Sequence, residues 1–289
     1  MESLLTVIIP AYNESESLEF FLPKVIEYCD LNNYKLIIVN DGSTDNSKDL
    51  LSEFKYDFLN IINHKVNQGY GGAIKSGIKS ATSKYVITID ADGQHHLEDI
   101  ELLLKEIHNH DADMIVGSRK GQLSSSIGRS IGKSIIRFFA KIMMDIPIYD
   151  LNSGMKIYNT VLAKRYLKLA PDSMAYSDII ALAFINHKKL VLEKTIQISP
   201  RKKGESTIGL HTAFETLLAI LNIIILFNPL KVFLPISIFF IITGLSWGSY
   251  ILLLGRGVSV GASTLIITSV IVFLLGLVAE QLSAIRKNN

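Results

Sequence analysis

The sequence predicts an α/β protein with a doubly wound, mostly parallel sheet, followed by a hairpin of two membrane-spanning helices. Short apolar runs alternate with amphipathic stretches along residues 1–120, and this alternation with short loops is typical of a parallel sheet covered by helices. Toward the C-terminus, two long apolar stretches have no charged residue between their ends, which indicates helices that cross a bilayer.

Five apolar runs predict strands, and four amphipathic stretches between them predict helices. The strands are Leu4–Ile9, Lys35–Val39, Leu59–Asn63, Lys84–Ile89 and Asp113–Val116, and the helices cover about 15–29, 45–55, 71–82 and 97–109. Thr44 and Asp45 fit the start of the second helix, because short oxygen-bearing side chains accept hydrogen bonds from the free N–H groups there.

The composition limits the classes of function. The 289 residues have a net charge of +2, so no strong positive field argues for nucleic acid as a partner. Cys29 is the only cysteine, which excludes an intrachain disulfide and a thiolate metal cluster.

Residues from about 126 to 144 predict an amphipathic helix with a basic stripe. Arg129, Lys133, Arg137 and Lys141 recur every four residues, so they share one slowly drifting helix face. Such a helix suits an anionic membrane surface, or it is an ordinary surface helix with extended lysines. The apolar segments further along the chain favour the membrane.

The two apolar segments, Val232–Leu254 and Gly257–Ala279, are each long enough to cross about 30 Å of hydrocarbon. Only Gly255 and Arg256 separate them, so we expect a tight hairpin; a buried hairpin in a soluble core is the alternative. Basic residues flank both ends, which places the N-terminal domain and both termini in the cytoplasm of a multi-pass protein of the cell membrane. We divide the chain into a domain at 1–210, an interfacial helix at 211–231, a first span at 232–254, and a second span with a cytoplasmic tail at 257–285.

Two carboxylates, Asp90 and Asp92, follow the predicted strand that ends at Ile89. In open α/β sheets, ligands bind at the carboxyl ends of the strands. Two hard oxygen ligands two residues apart suit Mg²⁺ or Mn²⁺, and such an ion would hold a diphosphate. A plain surface turn is the alternative, because Asp and Gly are common in turns.

Three further loops fall at the same predicted edge. They are Pro10-Ala11-Tyr12-Asn13-Glu14, Asn40-Asp41-Gly42-Ser43-Thr44-Asp45 and Asn67-Gln68-Gly69-Tyr70-Gly71-Gly72. A tyrosine face and an aspartate acceptor could hold a nucleobase and its ribose, and a glycine-rich turn lets the backbone approach phosphates at a helix N-terminus. The G-x-G-x-x-G spacing of a dinucleotide-binding fold is missing after the first strand.

These loops, with Asp90-Ala91-Asp92-Gly93-Gln94-His95, Gly117-Ser118-Arg119 and Asp150-Leu151-Asn152-Ser153-Gly154-Met155-Lys156, form an ordered set of motifs. The set resembles glycosyltransferase family 2 over about residues 4–210. It is most similar to the dolichol-phosphate mannosyltransferase-like branch of polyprenyl-phosphate glycosyltransferases, and the C-terminal hairpin is similar to its bactoprenol glucosyltransferase-like subgroup. The resemblance implies a GT-A domain that uses Mg²⁺ or Mn²⁺. It implies a nucleotide-sugar donor of the UDP-glucose, UDP-GlcNAc or GDP-mannose type, and a polyprenyl or dolichyl phosphate acceptor at the membrane lipids. It also implies inversion at the anomeric carbon.

The same resemblance implies roles for individual residues. The donor would be bound by Pro10, Ala11, Tyr12, Glu14, Asp41, Gly69, Gly71, Lys75, Asp90, Ala91 and Arg201. The cation would be held by Asp90, Asp92 and Gln94, and the acceptor phosphate by Arg119, Arg129, Ser130, Lys133 and Ser153. Asp92, Asp150 and Asp178 are the candidate catalytic carboxylates. Self-association is left open.

The chain departs from the family pattern at two positions. Met155-Lys156 stands where the family usually has an aromatic residue and Arg, and Thr207 stands where it usually has Lys. Lys202 and Lys203 could compensate. Two other functions stay open: a processive polysaccharide synthase, although the Gln-x-x-Arg-Trp segment of those enzymes is absent, and a non-catalytic nucleotide-sugar-binding membrane subunit.

Overall fold

A computed structural model describes residues 3–119, 146–199, 225 and 228–288. The chain separates into two compact units, one of residues 1–123 with 146–206 and one of residues 124–145 with 207–289. The predicted amphipathic helix at 126–144 and most of the predicted interfacial helix at 211–231 lie outside the described residues.

The described part of the first unit forms a seven-stranded sheet in the order β3-β2-β1-β4-β6-β5-β7. Its strands are β1 (Leu5–Ala11), β2 (Lys35–Asn40), β3 (Leu59–Asn63), β4 (Tyr85–Thr88), β5 (Met114–Ser118), β6 (Lys156–Asn159) and β7 (Val191–Thr195). Strand β6 is antiparallel to both β4 and β5, and the other neighbouring pairs are parallel. The prediction of a mostly parallel sheet is therefore confirmed.

Six α-helices accompany the described strands. They are α1 (Ser15–Leu31), α2 (Ser47–Ser52), α3 (Tyr70–Ser80), α4 (Glu98–Asn109), α5 (Thr160–Tyr166) and α6 (Tyr176–Asn186). The five predicted strands and four predicted helices are present with ends shifted by a few residues; α2 is shorter than expected. The elements β6, α5, α6 and β7 were not predicted.

Helices cover the sheet on both faces, as β1 illustrates. All seven residues of β1 are buried, and Leu5, Val7 and Ile9 belong to the same apolar core as the inner faces of α1 and α4. Ile8 points the other way, toward α3, where a β-carbon on Gly77 would lie 2.5 Å from its Cγ2. Burial on both faces explains why β1 is apolar at almost every position.

The polar loops meet at one edge of the sheet because of the strand directions. Parallel β1 and β2 end in register, with Ala11 opposite Asn40. Strand β6 runs the other way and begins at this edge, with Lys156 opposite Thr88 of β4. The segment before β6 therefore arrives where β4 and β5 end, and it brings residues 150–155 to the loops that follow these two strands.

The second unit contains two long helices, α7 (Leu230–Leu253) and α8 (Val260–Asn288). Their apolar windows have mean hydropathies of 1.9 and 2.5, and only 11% and 17% of these windows are buried. Both helices are long and apolar enough to cross a membrane. Their low burial argues against a hairpin inside a soluble core.

The hairpin is closed by small and hydroxylated residues. The Ser237 hydroxyl donates to the Ser269 carbonyl over 3.0 Å, and the Ser269 hydroxyl donates back to the Ser237 carbonyl over 2.8 Å. A β-carbon on Gly244 would lie 2.9 Å from Ile266, so this glycine lets the helices approach closely. The connection covers residues 254–259 and is longer than the predicted Gly255-Arg256, because α8 begins three residues later than expected.

Candidate active site

Asp90 is held by side chains from two neighbouring segments. The Tyr70 hydroxyl, at the start of α3, donates to Asp90 Oδ1 over 2.9 Å. The ring of His95 places Nε2 3.3 Å from Asp90 Oδ2. Burial opposes ionisation of Asp90, but His95 and Tyr70 hold the pKa of its carboxyl below the ordinary value. The side chain is therefore an oriented anion.

The backbone of Gly154 packs directly against the Asp90 carboxylate. A β-carbon at position 154 would lie 2.1 Å from Asp90 Oδ2, which no side chain could tolerate. The Thr88 hydroxyl fixes this segment by donating to the Gly154 carbonyl over 2.8 Å. The glycine before β6 thus provides the space in which Asp90 lies.

Asp92 and Gln94 lie in the turn that follows Asp90. The Gln94 backbone N–H donates to Asp92 Oδ1 over 3.1 Å. The Gln94 side-chain nitrogen donates to the Ser199 carbonyl over 3.2 Å, and the Ser199 N–H donates to the Gln94 carbonyl over 3.0 Å. Because the side-chain nitrogen of Gln94 donates to Ser199, the side-chain oxygen of Gln94 is the atom that can bind a cation.

This donor set fits a hard divalent cation that binds together with a diphosphate. Asp90, Asp92 and the Gln94 oxygen are hard ligands, as Mg²⁺ and Mn²⁺ require. Within the described residues, no group of three or more His, Cys, Asp or Glu side chains could enclose a metal ion. An ion here would therefore complete its coordination with water and phosphate oxygens, the usual arrangement of Mg²⁺ at nucleotide sites.

The loops after β1 and β2 are joined to each other by hydrogen bonds. Asn13, whose φ is 54°, accepts a hydrogen bond from the Thr44 N–H over 2.8 Å. Asp45 accepts from the backbone N–H groups of Ser15 and Ser47, both over 3.0 Å, so it caps the starts of α1 and α2 together. Burial tends to raise the pKa of Asp45, but these hydrogen bonds prevail and lower it to about 2.

The predicted nucleoside residues lie at the ends of β1 and β2. Asp41 is buried, and its N–H donates to the Ala11 carbonyl over 2.8 Å. Tyr12 is 46% exposed and presents a ring to solvent at this edge. Glu14 accepts from the Ser17 hydroxyl over 2.7 Å. Pro10 is buried. Ala91, beside Asp90, is likewise buried.

The glycines at the start of α3, where we expect phosphates to approach the backbone, also lie against a neighbouring loop. β-carbons on Gly69 and Gly71 would lie 2.5 Å and 2.4 Å from the carbonyls of Asp172 and Pro171. Lys75, expected to bind the donor, forms an ion pair with Asp172 at 2.7 Å. These three residues therefore dock the loop before α6 against α3.

Arg119 and Asp150 form a bidentate pair at the end of β5. Arg119 Nε and Nη2 donate to the two oxygens of Asp150 over 2.6 Å and 2.8 Å. Burial opposes ionisation of Asp150, but the contacts with Arg119 together prevail and hold the pKa of the Asp150 carboxyl below its ordinary value. Asp150 is thus a weak base that orients Arg119. Within the described residues, Arg119 Nη1 makes no hydrogen bond and can meet a phosphate.

Lys156 lies fully buried among these charges. Its ammonium donates to the Ser153 carbonyl, and burial lowers its pKa to about 8. Asp178, in the first turn of α6, faces the same group, and burial raises its pKa to about 6. Ser153, expected to contact the acceptor, is buried, and its hydroxyl accepts from the Met155 N–H over 3.2 Å. This hydrogen bond stabilises the turn before β6, and acceptor contact by Ser153 stays a prediction.

Four predicted site residues, Arg129, Ser130, Lys133 and Arg201, lie outside the described residues, as do Lys202, Lys203 and Thr207.

Sequence reasoning missed four residues that contact the site. Tyr70 and His95 occur within the motifs but received no role. Lys156 was noticed only as a departure from the family pattern. His64 directly follows β3, so the rule that selected the other loops at the carboxyl edge would have included it.

Residues 6–167 match glycosyl transferase family 2. The chain belongs to this family. Residues 228–285 match a second family, the GtrB C-terminal hairpin, which covers α7 and nearly all of α8. This family 2 chain therefore joins a glycosyltransferase domain to a membrane hairpin, as expected.

Two relatives of the chain are named as dolichyl-phosphate glycosyltransferases. The chain is 32% identical over 181 residues to a dolichyl-phosphate β-glucosyltransferase of Dictyostelium discoideum, covering 56% of this chain and 55% of that protein. It is 31% identical over 180 residues to a UDP-N-acetylglucosamine–dolichyl-phosphate N-acetylglucosaminyltransferase of Methanococcus voltae, covering 55% and 70%. The chain thus spans about half the length of the dolichyl-phosphate glucosyltransferase that it matches.

Solved structures confirm the GT-A type of fold. Glucosyl-3-phosphoglycerate synthase of Mycobacterium tuberculosis, solved with Mn²⁺, UDP and phosphoglyceric acid, superposes with a TM-score of 0.57 at 15% identity, covering 77% of this chain and 79% of that chain.

Proposed function

We propose that this protein transfers one sugar from a nucleotide-sugar donor to a polyprenyl or dolichyl phosphate, with inversion at the anomeric carbon. The observation that supports it most is the arrangement at the carboxyl edge of the sheet. There the Asp90–Asp92–Gln94 turn, Asp41 and Arg119 meet in a family 2 domain that is followed by a membrane hairpin. Nucleotide, cation and phosphate acceptor each find suitable groups at this edge.

Different residues of the chain would bind the nucleoside, the cation and the acceptor phosphate. Asp41 and Tyr12 bind the nucleoside, while Asp90, Asp92 and Gln94 hold Mg²⁺ or Mn²⁺ against the diphosphate. When bound, the cation neutralises the charge that develops on the departing diphosphate. Arg119, oriented by Asp150, attracts the acceptor phosphate.

The chemistry needs positioning more than deprotonation. A lipid phosphate is already an anion, so its oxygen can attack the anomeric carbon in line without a strong base. This agrees with Asp150, whose pairing with Arg119 makes it a weak base. The carboxyl of Asp178 and the ammonium of Lys156 would together determine the net charge next to the acceptor phosphate.

We propose the cytoplasmic face of the cell membrane as the location of this reaction. Lys231 lies in the first turn of α7, and Arg286 and Lys287 lie in the last turn of α8. Basic flanks on both sides favour a cytoplasmic location for the catalytic domain and both termini.

Membranes that contain the protein should be offered a panel of radiolabelled nucleotide sugars together with polyprenyl phosphate. We expect label from one donor to enter the organic phase. Asp92→Asn should abolish this transfer, while Asp30→Asn, which changes an exposed carboxylate on α1, should leave it unchanged. Binding of a nucleotide sugar with no transfer from any donor would favour a non-catalytic subunit, and a long water-soluble polymer would favour a processive synthase.

A further inference from the structure

The Asp41 carboxylate, at the end of β2, accepts hydrogen bonds from three donors. The Gln68 N–H donates to Oδ1 over 2.9 Å, and the Gly69 N–H donates to Oδ2 over 2.9 Å. The third donor is the ring of His64, whose Nδ1 lies 2.6 Å from Oδ1. Asp41 is only 2% exposed, so these contacts, and not water, determine what else it can bind.

His64 is held in one orientation. Its backbone N–H donates to the Asn40 carbonyl over 2.9 Å, and its Nε2 lies 2.9 Å from the hydroxyl of Ser76 on α3. Because a carboxylate only accepts hydrogen bonds, Nδ1 must hold the proton that faces Asp41. The ring is thus a fixed donor to Asp41 Oδ1.

These contacts leave Asp41 with an uneven acceptor capacity. An ionised carboxylate has about four lone-pair positions, two on each oxygen. Among the described residues, two donors fill Oδ1 and one donor meets Oδ2. One acceptor position therefore remains, and it is on Oδ2.

Nucleobases differ in how many donors they present to such an acceptor. The imide edge of uracil presents one N–H between two carbonyl oxygens. Guanine presents two adjacent donors, and a carboxylate satisfies both only when each of its oxygens accepts one. Because Oδ1 is occupied, one of the two N–H donors of guanine would stay unpaired in a buried position, and this would make the free energy of binding less favourable.

We propose that His64 is a specificity-determining residue that fills Oδ1 of Asp41 and so restricts the nucleotide donor to one whose base presents a single imide N–H, as the uracil of a uridine nucleotide does. This inference rests on the proposed function, in which Asp41 lies at the base of the donor. His64 acts through Asp41 and is a positioning residue.

Binding of UDP and GDP to the full-length protein in detergent micelles, with Mn²⁺ present, tests the proposal by calorimetry. We expect UDP to bind at least about tenfold more tightly than GDP. UDP methylated at N3 has lost the imide N–H and should bind at least about tenfold more weakly than UDP. This comparison needs no variant, so it does not depend on the folding of a mutant.

Three variants test the part played by His64. His64→Leu frees Oδ1, so the preference for UDP over GDP should shrink toward equality. His64→Asn keeps an N–H donor near the place of Nδ1 and should retain the preference. Ser76→Ala, the matched control, removes only the outer contact of the ring and should also retain it.

The outcomes separate the two claims. GDP binding as tightly as UDP, or N3-methylated UDP binding like UDP, overturns the uridine assignment while leaving a nucleotide-dependent enzyme. An unchanged UDP preference in folded His64→Leu overturns the role of His64. Failure to bind either nucleotide overturns the proposed function and this inference with it.

Discussion

Replacing Gly154 with alanine should disable the site without unfolding the domain. The new β-carbon would lie 2.1 Å from Oδ2 and 2.6 Å from Cγ of Asp90. Ordinary contact requires the carboxylate to retreat by about 1 Å, since packed side chains do not overlap. That movement would break its hydrogen bonds to Tyr70 and His95. A displacement of this size at a reacting centre costs about 100-fold in rate, or about 2.7 kcal/mol.

The assay is the initial rate of sugar transfer to polyprenyl phosphate at saturating donor, measured beside thermal unfolding. Gly77→Ala is the matched control, because its β-carbon would lie 2.5 Å from Ile8 in the core, away from the carboxyl edge. We expect Gly77→Ala to lose stability and Gly154→Ala to lose kcat. A folded Gly154→Ala protein with the kcat of the wild type would refute the claim that this contact fixes a carboxylate needed for transfer.

Three other predictions follow from the same structure. EDTA should abolish transfer and Mg²⁺ or Mn²⁺ restore it, whereas Asp92→Asn should stay inactive with either ion because a neutral amide is a poorer ligand; full activity of this variant in chelator would remove the cation from the mechanism. Asp45→Ala should lower the free energy of unfolding at pH 7 by about 1 kcal/mol. The pKa of Asp45 is lowered to about 2 in the folded protein, whereas an aspartate in the unfolded chain has a pKa near 4. The stabilisation by Asp45 is therefore complete above about pH 4 and disappears as the pH falls through about 2. Denaturant curves of the wild type and Asp45→Ala should converge in acid, and a constant difference between them would contradict this. A reporter active only outside the cytoplasm, fused after Asn289, should stay silent, and a signal there would contradict a two-span hairpin with cytoplasmic ends.

Local patterns were enough to predict the sheet's central strands and its binding edge. Strands such as β1 are continuous apolar runs because both of their faces are buried, and polar turns mark where they end. Strand β6 has no such signal. It is four residues long, begins with the buried Lys156, and takes its place between β4 and β5 through pairing with distant residues.

Helix α6 was missed for a related reason. Eight of its eleven residues are buried, so it lacks the polar face that gives an amphipathic helix its periodic pattern. Its aromatic surroundings decide its position: Phe184 packs edge-on against Tyr166, with ring centroids 5.1 Å apart.

The identity of the site was easier to predict than its internal contacts. Asp90, Asp92, Asp41 and Arg119 all lie at the predicted edge because strand ends determine where loops go. Their partners come from distant parts of the chain: the contact of Gly154 with Asp90 depends on the antiparallel β6, which the sequence did not reveal. For the same reason, the sequence did not reveal that the loop at Pro171 and Asp172 packs against the glycines at the start of α3.

The products of a single reaction test the central claim most directly. Purified protein should be supplied with labelled nucleotide sugar, with and without polyprenyl phosphate, and both the nucleotide and the lipid products quantified. The account predicts one nucleoside diphosphate released for each sugar transferred, an acid-labile lipid monophosphate sugar, and almost no release without the lipid phosphate. A lipid diphosphate product with release of nucleoside monophosphate, or equal release of nucleoside diphosphate without the lipid, would contradict it.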